Sequence, residues 1–299
     1  MKPVAIKIDV DTHDGMRDGV PLLLSSLEKF GIRATFCLSY GPDNAGKAIF
    51  RAFREPAFLL KMFRTGAPSL YGLRTILSGT LLPARPVATA FPDTVRQIKA
   101  LGHEVIVHAW NHRRWQDRLH RMNRFEIEAE YSHAFRAHEK IIGERPHAVA
   151  SPGWQATGLS LAVEDSLNLL YASDMREGRP CFPKSDGRVF RTLQIPGTGP
   201  CIEELLTVGI KDETEIIRHL LKPLERAEQP VLTLHAEVEG GPYRHIMEKM
   251  MPQIISRHGK CITLREAAEK ILRHPDRVPT LELCRRNLPG RAGTVASVR

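Results

Sequence analysis

V-A-I-K-I-D-V-D-T, residues 4–12, begins as an apolar run of the kind buried in a sheet and ends in two carboxylates, Asp9 and Asp11. Successive side chains of a strand alternate faces, so residues two apart point the same way. Asp9 and Asp11 therefore project to one side at the C-terminal end of a first strand. Two anions held that close cost free energy unless a cation or a shared proton relieves the repulsion. A metal site is one reading of the pair. The other is a strand that simply runs into the polar turn D-T-H-D-G.

Outward from this stretch, strands and helices alternate. Residues 20–30 read as an amphipathic helix stopped by Gly31, and 34–40 as a second strand ending at G-P-D-N. A third strand is expected at 104–109, then a long helix over 124–142 stopped by Gly143. Short strands at 147–150 and 171–173 flank a helix over 159–170. Further strands are expected at 189–195, 231–234 and 261–264, with helices over 212–227 and 243–256 and a last one reaching 272. No internal repeat is evident. Strands separated by helices argue for an α/β fold of parallel β/α units, and seven or eight units favour a barrel over an open sheet. In such a barrel, catalytic residues gather where strands end and βα loops begin.

The totals narrow the function classes. With 299 residues, 42% hydrophobic and 26% charged, the chain has the composition of a soluble globular protein large enough to bury a substantial core. No apolar run reaches the roughly 18–20 residues that span a bilayer, and the N-terminus carries no secretory signal pattern. Five scattered cysteines with no C-x-x-C read as reduced thiols of a cytoplasmic protein, mostly structural. The net charge of +9 calls for an anionic partner. Aromatic content of 6% and the lack of a recognition motif argue against nucleic acid.

Groups suited to metal binding and acid–base work recur at the expected strand ends. His108 ends the third strand, and His112 lies four residues on in H-A-W-N-H, the H-x-x-x-H spacing that sets two imidazoles side by side on one helical turn. With a strand-end D-x-D they make a two-histidine, one-carboxylate set that leaves metal positions open for water and substrate. His235 closes the apolar strand V-L-T-L-H. It is either a core histidine bonded to backbone or, from its place on the rim beside A-E-V-E-G, a general acid. Asp174 in Y-A-S-D-M-R is either a cap or turn residue or the carboxylate that orients His235 and raises its pKa. His13, His103, His120, His133, His138, His147 and His258 read as surface or structural.

Together these residues resemble the polysaccharide deacetylase superfamily, the chitooligosaccharide-deacetylase-like carbohydrate esterases. The resemblance implies a distorted, seven-stranded (β/α) barrel over 1–272 and one divalent metal ion: zinc, manganese, cobalt or iron. It assigns Asp9 as catalytic base, Asp11, His108 and His112 as metal ligands, and His235 as acid. The superfamily's arginine that steadies the catalytic aspartate is missing, the corresponding loop being S-P-G-W at 151–154; Arg176 is the candidate for its place. I-D-V-D-T (8–12), D-G-V-P (18–21), G-P-D-N, S-L-Y-G (69–72), H-A-W-N-H, Y-A-S-D-M-R, H-A-E-V-E-G (235–240) and N-L-P-G-R (287–291) are similar to one branch, the 4-deoxy-4-formamido-L-arabinose-phosphoundecaprenol deformylases. That branch implies hydrolysis of a formamide on an undecaprenyl-phosphate-linked amino sugar, destined for lipid A and resistance to polymyxin-like cationic peptides. The alternatives are an N-deacetylase of another glycan, or a membrane- or nucleic-acid-binding module with a vestigial site.

Residues 43–90 form an inserted segment too long for an ordinary βα loop. Its centre carries Lys47, Arg51, Arg54, Lys61, Arg64, Arg74 and Arg85 against Glu55 alone, with Phe58, Leu59, Met62 and Phe63 on one helical face. It reads equally as a lid over the barrel or as an interfacial helix on an anionic membrane. The lipid-linked substrate of the resembling branch favours contact with the inner-membrane surface, on its cytoplasmic side. Trp154, Arg176, Tyr71, Arg64 and Arg291 are the candidate substrate contacts, and 273–299 is either a flexible tail or a strap bringing Asn287 and Arg291 to the site.

Overall fold

β1 (Val4–Val10) is buried along its whole length, as its near-continuous apolar sequence requires of a central parallel strand. The structure is a computed structural model that describes residues 1–47, 75 and 77–299; most of the basic inserted segment, with Arg64 and Tyr71, lies outside the described residues. The two faces of β1 have separate duties. Val4, Ile6, Ile8 and Val10 pack outward into the main core with Leu23, Leu27, Phe36 and Leu38. Ala5 faces an inner cluster with Cys37, Ile106, Tyr171 and Val231, and Lys7 and Asp9 follow it on that inner face by alternation.

β1 pairs in parallel with β2 (Thr35–Ser39), β9 (Val231–His235) and β10 (Cys261–Ile262). The parallel sheet then runs through β3 (Glu104–Ala109), β4 (Ala148–Val149), β5 (Tyr171–Ala172) and β8 (Leu193–Gln194), in the order β10-β1-β2-β3-β4-β5-β8 with β9 also on β1. This is the expected β/α sheet, curled as a half-barrel. Among the described residues no strand pairing joins β8 to β9. The gap is bridged beyond β8, where the Thr198 N–H donates to Val231 O at 2.9 Å.

The helices that cover the sheet have local reasons for their limits. α1 (Val20–Lys29) carries Pro21 in its first turn, where no intrahelical donor is lost; α2 (Pro92–Ala100) starts the same way. After α3 (His112–Arg118) comes α4 (Arg124–Ile142), opened by a reciprocal capping box between Asn123 and Glu126 and closed by Gly143 at φ 83°. Then follow α5 (Gly158–Ser166), α6 (Ile202–Thr207), α7 (Glu213–Arg226), α8 (Arg244–His258) and α9 (Leu264–Ile271).

The expected strand over 189–195 is two strands in two sheets. The Asp165 carboxylate accepts the N–H groups of Arg191 and Thr192 at 2.8 and 3.0 Å, which takes that backbone out of any ladder. β7 (Arg188–Val189) lies on one side of the break and β8 on the other. β7 belongs to a four-stranded sheet of order β12-β11-β6-β7, built from β6 (Phe182–Ser185) and a C-terminal hairpin, β11 (Thr280–Asn287) and β12 (Thr294–Val298). The hairpin loop carries Arg291 to the 151–154 turn, where its guanidinium donates to Gly153 O at 2.8 Å.

Candidate active site

The C-terminal end of β1 brings Asp11 to both histidines. His108 Nε2 lies 3.3 Å from Asp11 Oδ1, and His112 Nε2 lies 3.2 Å from Asp11 Oδ2. The imidazole pair is not formed on one helical turn, as the spacing alone suggests. His108 is still in β3, and His112 opens α3 after a turn capped by Asn111, whose side chain accepts from Arg114 N at 3.0 Å. The backbone folds back at that turn and sets the two rings 5.3 Å apart.

This trio fits a divalent cation. The three ligand atoms lie within 4.8 Å of one another. Asp11 Oδ1 is buried with no hydrogen-bond partner. His108 Nδ1 hydrogen-bonds to Ala150 O, so its proton sits there and Nε2 presents a lone pair, the orientation that a ligating histidine needs. Burial opposes ionisation of Asp11, but His112 and His108 outweigh it and hold the carboxyl well below its usual range. Glu237 fixes the same loop, accepting from Asp11 N, Thr12 N and Thr12 Oγ1 at 3.0, 2.8 and 2.8 Å. Burial and the nearby charge of Asp11 push the Glu237 carboxyl up to about 8.

Asp9, on the same strand, is held by Lys7. Lys7 Nζ lies 3.1 Å from Asp9 Oδ2, and both side chains are buried. Burial alone would raise the Asp9 pKa, but the charges of Lys7, then His108 and His235, keep the carboxyl below its usual range. The expected place of Arg176 beside Asp9 is therefore corrected. Arg176 instead donates to Gly199 O and to Glu204 Oε2, each bond made from Nη2, the second 2.9 Å long.

His235 ends β9 in register with Asp9. Its Nδ1 faces Glu203 Oε1 at 3.3 Å, which leaves Nε2 to address a substrate. Burial works to lower its pKa, but Glu203, then Asp11, Asp9 and Glu239, raise it to about 9. His235 is thus an imidazolium near neutral pH. The expected pairing of His235 with Asp174 is corrected as well. Asp174 accepts from Ser151 N and Gln194 Nε2, both at 2.7 Å, so its two oxygens are spent on the 151–154 turn and on β8.

Trp154 lies inside the site wall, its ring edge-on to His235 with centroids 6.2 Å apart. The Arg176 and Arg291 guanidinium carbons lie 4.2 and 4.7 Å from its ring centroid. Glu204 accepts from both arginines. Of the five residues expected to touch substrate, Trp154, Arg176 and Arg291 pack against one another and brace the loop behind His235, while Arg64 and Tyr71 lie outside the described residues.

Lys7 and Glu203 escape a motif-based reading for different reasons. Lys7 shares the inner face of β1 with Asp9 and is reachable by the same period-two argument. Glu203 is brought to His235 by the chain's return through α6, which no local spacing announces.

The comparisons with known proteins agree with this geometry. The polysaccharide deacetylase family model matches residues 2–172. A protein of Shewanella sediminis (strain HAW-EB3) described as "Probable 4-deoxy-4-formamido-L-arabinose-phosphoundecaprenol deformylase ArnD" is 34% identical over 250 residues, covering 84% of this chain and 80% of the relative. A protein of Wigglesworthia glossinidia brevipalpis with the same description is 30% identical over 286 residues, covering 94% of this chain and 97% of the relative. Among solved structures, one described as a probable polysaccharide deacetylase from Pseudomonas aeruginosa PAO1 superposes with a TM-score of 0.63 at 15% identity, covering 92% of this chain and 93% of that one. On its fold, on the match through its first half and on its relatives, the chain belongs to the polysaccharide deacetylase family.

Proposed function

We propose that this protein hydrolyses the formamide of 4-deoxy-4-formamido-L-arabinose carried on undecaprenyl phosphate, releasing formate and the free amino sugar. As a member of its family with relatives named as deformylases, it is a hydrolase acting on amides. The observation that carries metal-assisted amide hydrolysis is the grouping at one rim of Asp9 on Lys7, Asp11 on His108 and His112, and His235 on Glu203. The choice of the formyl sugar is supported by the relatives described as deformylases.

A divalent cation held by Asp11, His108 and His112, whether zinc, manganese or cobalt, supplies polarisation of the formyl oxygen and a water of lowered pKa. Asp9, kept ionised by Lys7, takes the proton of the attacking water. His235, charged at neutral pH, gives its proton to the departing nitrogen. The acid matters because an unprotonated amine is a poor leaving group. Lys7 and Glu203 each keep a working group in its required charge state: base ionised, acid protonated.

The substrate's lipid places the reaction at the anionic surface of the inner membrane, on its cytoplasmic side, and the basic segment 43–90 suits that contact. Among the described residues, no helix is long and apolar enough to cross a membrane. The amine product carries a positive charge, which suits a role in lipid A modification and resistance to cationic peptides.

The test is mass spectrometry of the lipid-linked sugar, in formylated and acetylated versions, incubated with the metal-loaded protein. Loss of the formyl group with the acetyl compound left intact is expected, and neither Asp9→Asn nor His235→Ala should convert either compound. Equal or faster loss of acetyl would make the protein an N-deacetylase instead.

A further inference from the structure

The turn entering α6 places Cys201 and Glu203 against His235. The thiol, a Glu203 carboxylate oxygen and a ring nitrogen of His235 lie within 4.8 Å of one another. His235 Nδ1 is buried without a hydrogen bond, and its 3.3 Å approach to Glu203 is an ion-pair contact. A fourth group is close. Glu239 is fully buried; its Oε2 accepts the main-chain N–H of His235 at 2.7 Å, while its Oε1 has no partner. Its charge acts on both Cys201 and His235. One carboxylate and a thiol thus face a ring nitrogen of His235, with Glu239 buried against the backbone of the same residue, apart from the Asp11, His108 and His112 set.

We infer that Cys201, Glu203 and His235 form a second divalent-cation site, selective for thiophilic borderline ions such as zinc and cobalt, and that its occupancy switches the acid His235 off. Thiolate, imidazole and carboxylate are the donor types of zinc sites, and the sulfur separates this set from the harder Asp-His-His set. Occupancy exchanges protons for the ion: the cation takes Nδ1 and the sulfur, while the Nδ1 proton and the thiol proton leave to solvent. Metal-bound His235 retains only an imidazole N–H, a far weaker acid than imidazolium, so protonation of the leaving amine stops. Arg176 Nη1 lies 3.7 Å from the Cys201 sulfur and favours the thiolate, while burial pushes the thiol up well above its usual range. The narrow exposed edge of the site, at Glu203 and His235, gives the ion its way in.

The inhibitory consequence rests on the role of His235 proposed above; the site itself does not. The metal-free protein is titrated with cobalt(II), following bound metal and the near-ultraviolet spectrum, and formate release is measured at one equivalent and with excess zinc. Two equivalents are expected, the second bringing a thiolate-to-cobalt charge-transfer band. Cys201→Ser should keep the first equivalent, which also reports its fold, lose the band and retain turnover at one equivalent. Excess zinc should slow the wild type at least tenfold and leave Cys201→Ser unaffected; Cys201→Ala serves as the second variant. A single equivalent in the wild type, or a second without the band, overturns the site. A band without zinc inhibition overturns the switch. A band in a protein that releases no formate at one equivalent supports the site and removes the deformylase reading.

Discussion

Lys7 and Asp9 make a buried ion pair in which each charge depends on the other. Exposed pairs of this kind contribute little, whereas removing one partner of a buried pair leaves the other uncompensated. Lys7→Met keeps the length of the side chain and removes its charge. The Asp9 pKa then rises, and less of the base is ionised at neutral pH. Turnover is expected to fall by about 10²-fold, the lower range for losing a general base, with KM and bound metal unchanged; steady-state kinetics and metal analysis check this. His235 gives the opposite sign. Its folded-state pKa is raised to about 9, so its working form is complete at neutral pH and is lost as pH rises through that value. Glu203→Gln removes the largest charge that raises it, and the alkaline limb of the pH–rate profile should move toward neutrality. An unmoved limb would give the acid role to another group. The D-x-D and the strand-end histidine are legible in the sequence because strand alternation places them. The H-x-x-x-H pair is legible because its members stay close in sequence, although the Asn111 turn rather than a helical turn joins them. The sequence points to Asp174 as the partner of His235 because it also follows a strand end. Backbone and amide donors claim Asp174 first, and the true partner arrives on α6 from outside any repeat.

Among the elements, the end of the sheet opposite the chemistry is held by one carboxylate. Glu104, at the start of β3, accepts from Thr35 Oγ1 at 2.6 Å, Tyr171 OH at 2.9 Å, His147 Nε2 at 2.7 Å and Arg265 N at 3.0 Å. These donors come from β2, β5, the approach to β4 and the start of α9. Glu104→Ala strands several buried polar groups together, and a loss of about 3 kcal/mol is expected. Denaturant unfolding checks it, with bound metal unchanged in the folded protein because the site lies at the other rim. The parallel strands and the helix stop at Gly143 are readable from apolar runs and punctuation. The break inside 189–195 is not, because it is made by Asp165 from α5. The C-terminal hairpin has only a partial period of its own: β11 alternates apolar and charged residues over Leu281–Leu283 and then breaks at Cys284-Arg285-Arg286.

Over the whole molecule, the parallel fold collects at one rim the residues that sequence scatters from 9 to 235, and leaves the opposite rim to stability. The barrel expectation follows from the count of β/α units, while the incomplete closure depends on pairings too short to signal themselves: β4, β5 and β8 each have two residues. The central claim is that Asp11, His108 and His112 share one ion on which hydrolysis depends. The most direct measurement is bound divalent metal together with formate released from the lipid-linked sugar, in wild type and His108→Ala. The predicted result is that a folded His108→Ala protein binds one ion fewer than the wild type and releases no formate. Full turnover by His108→Ala without its metal would contradict it.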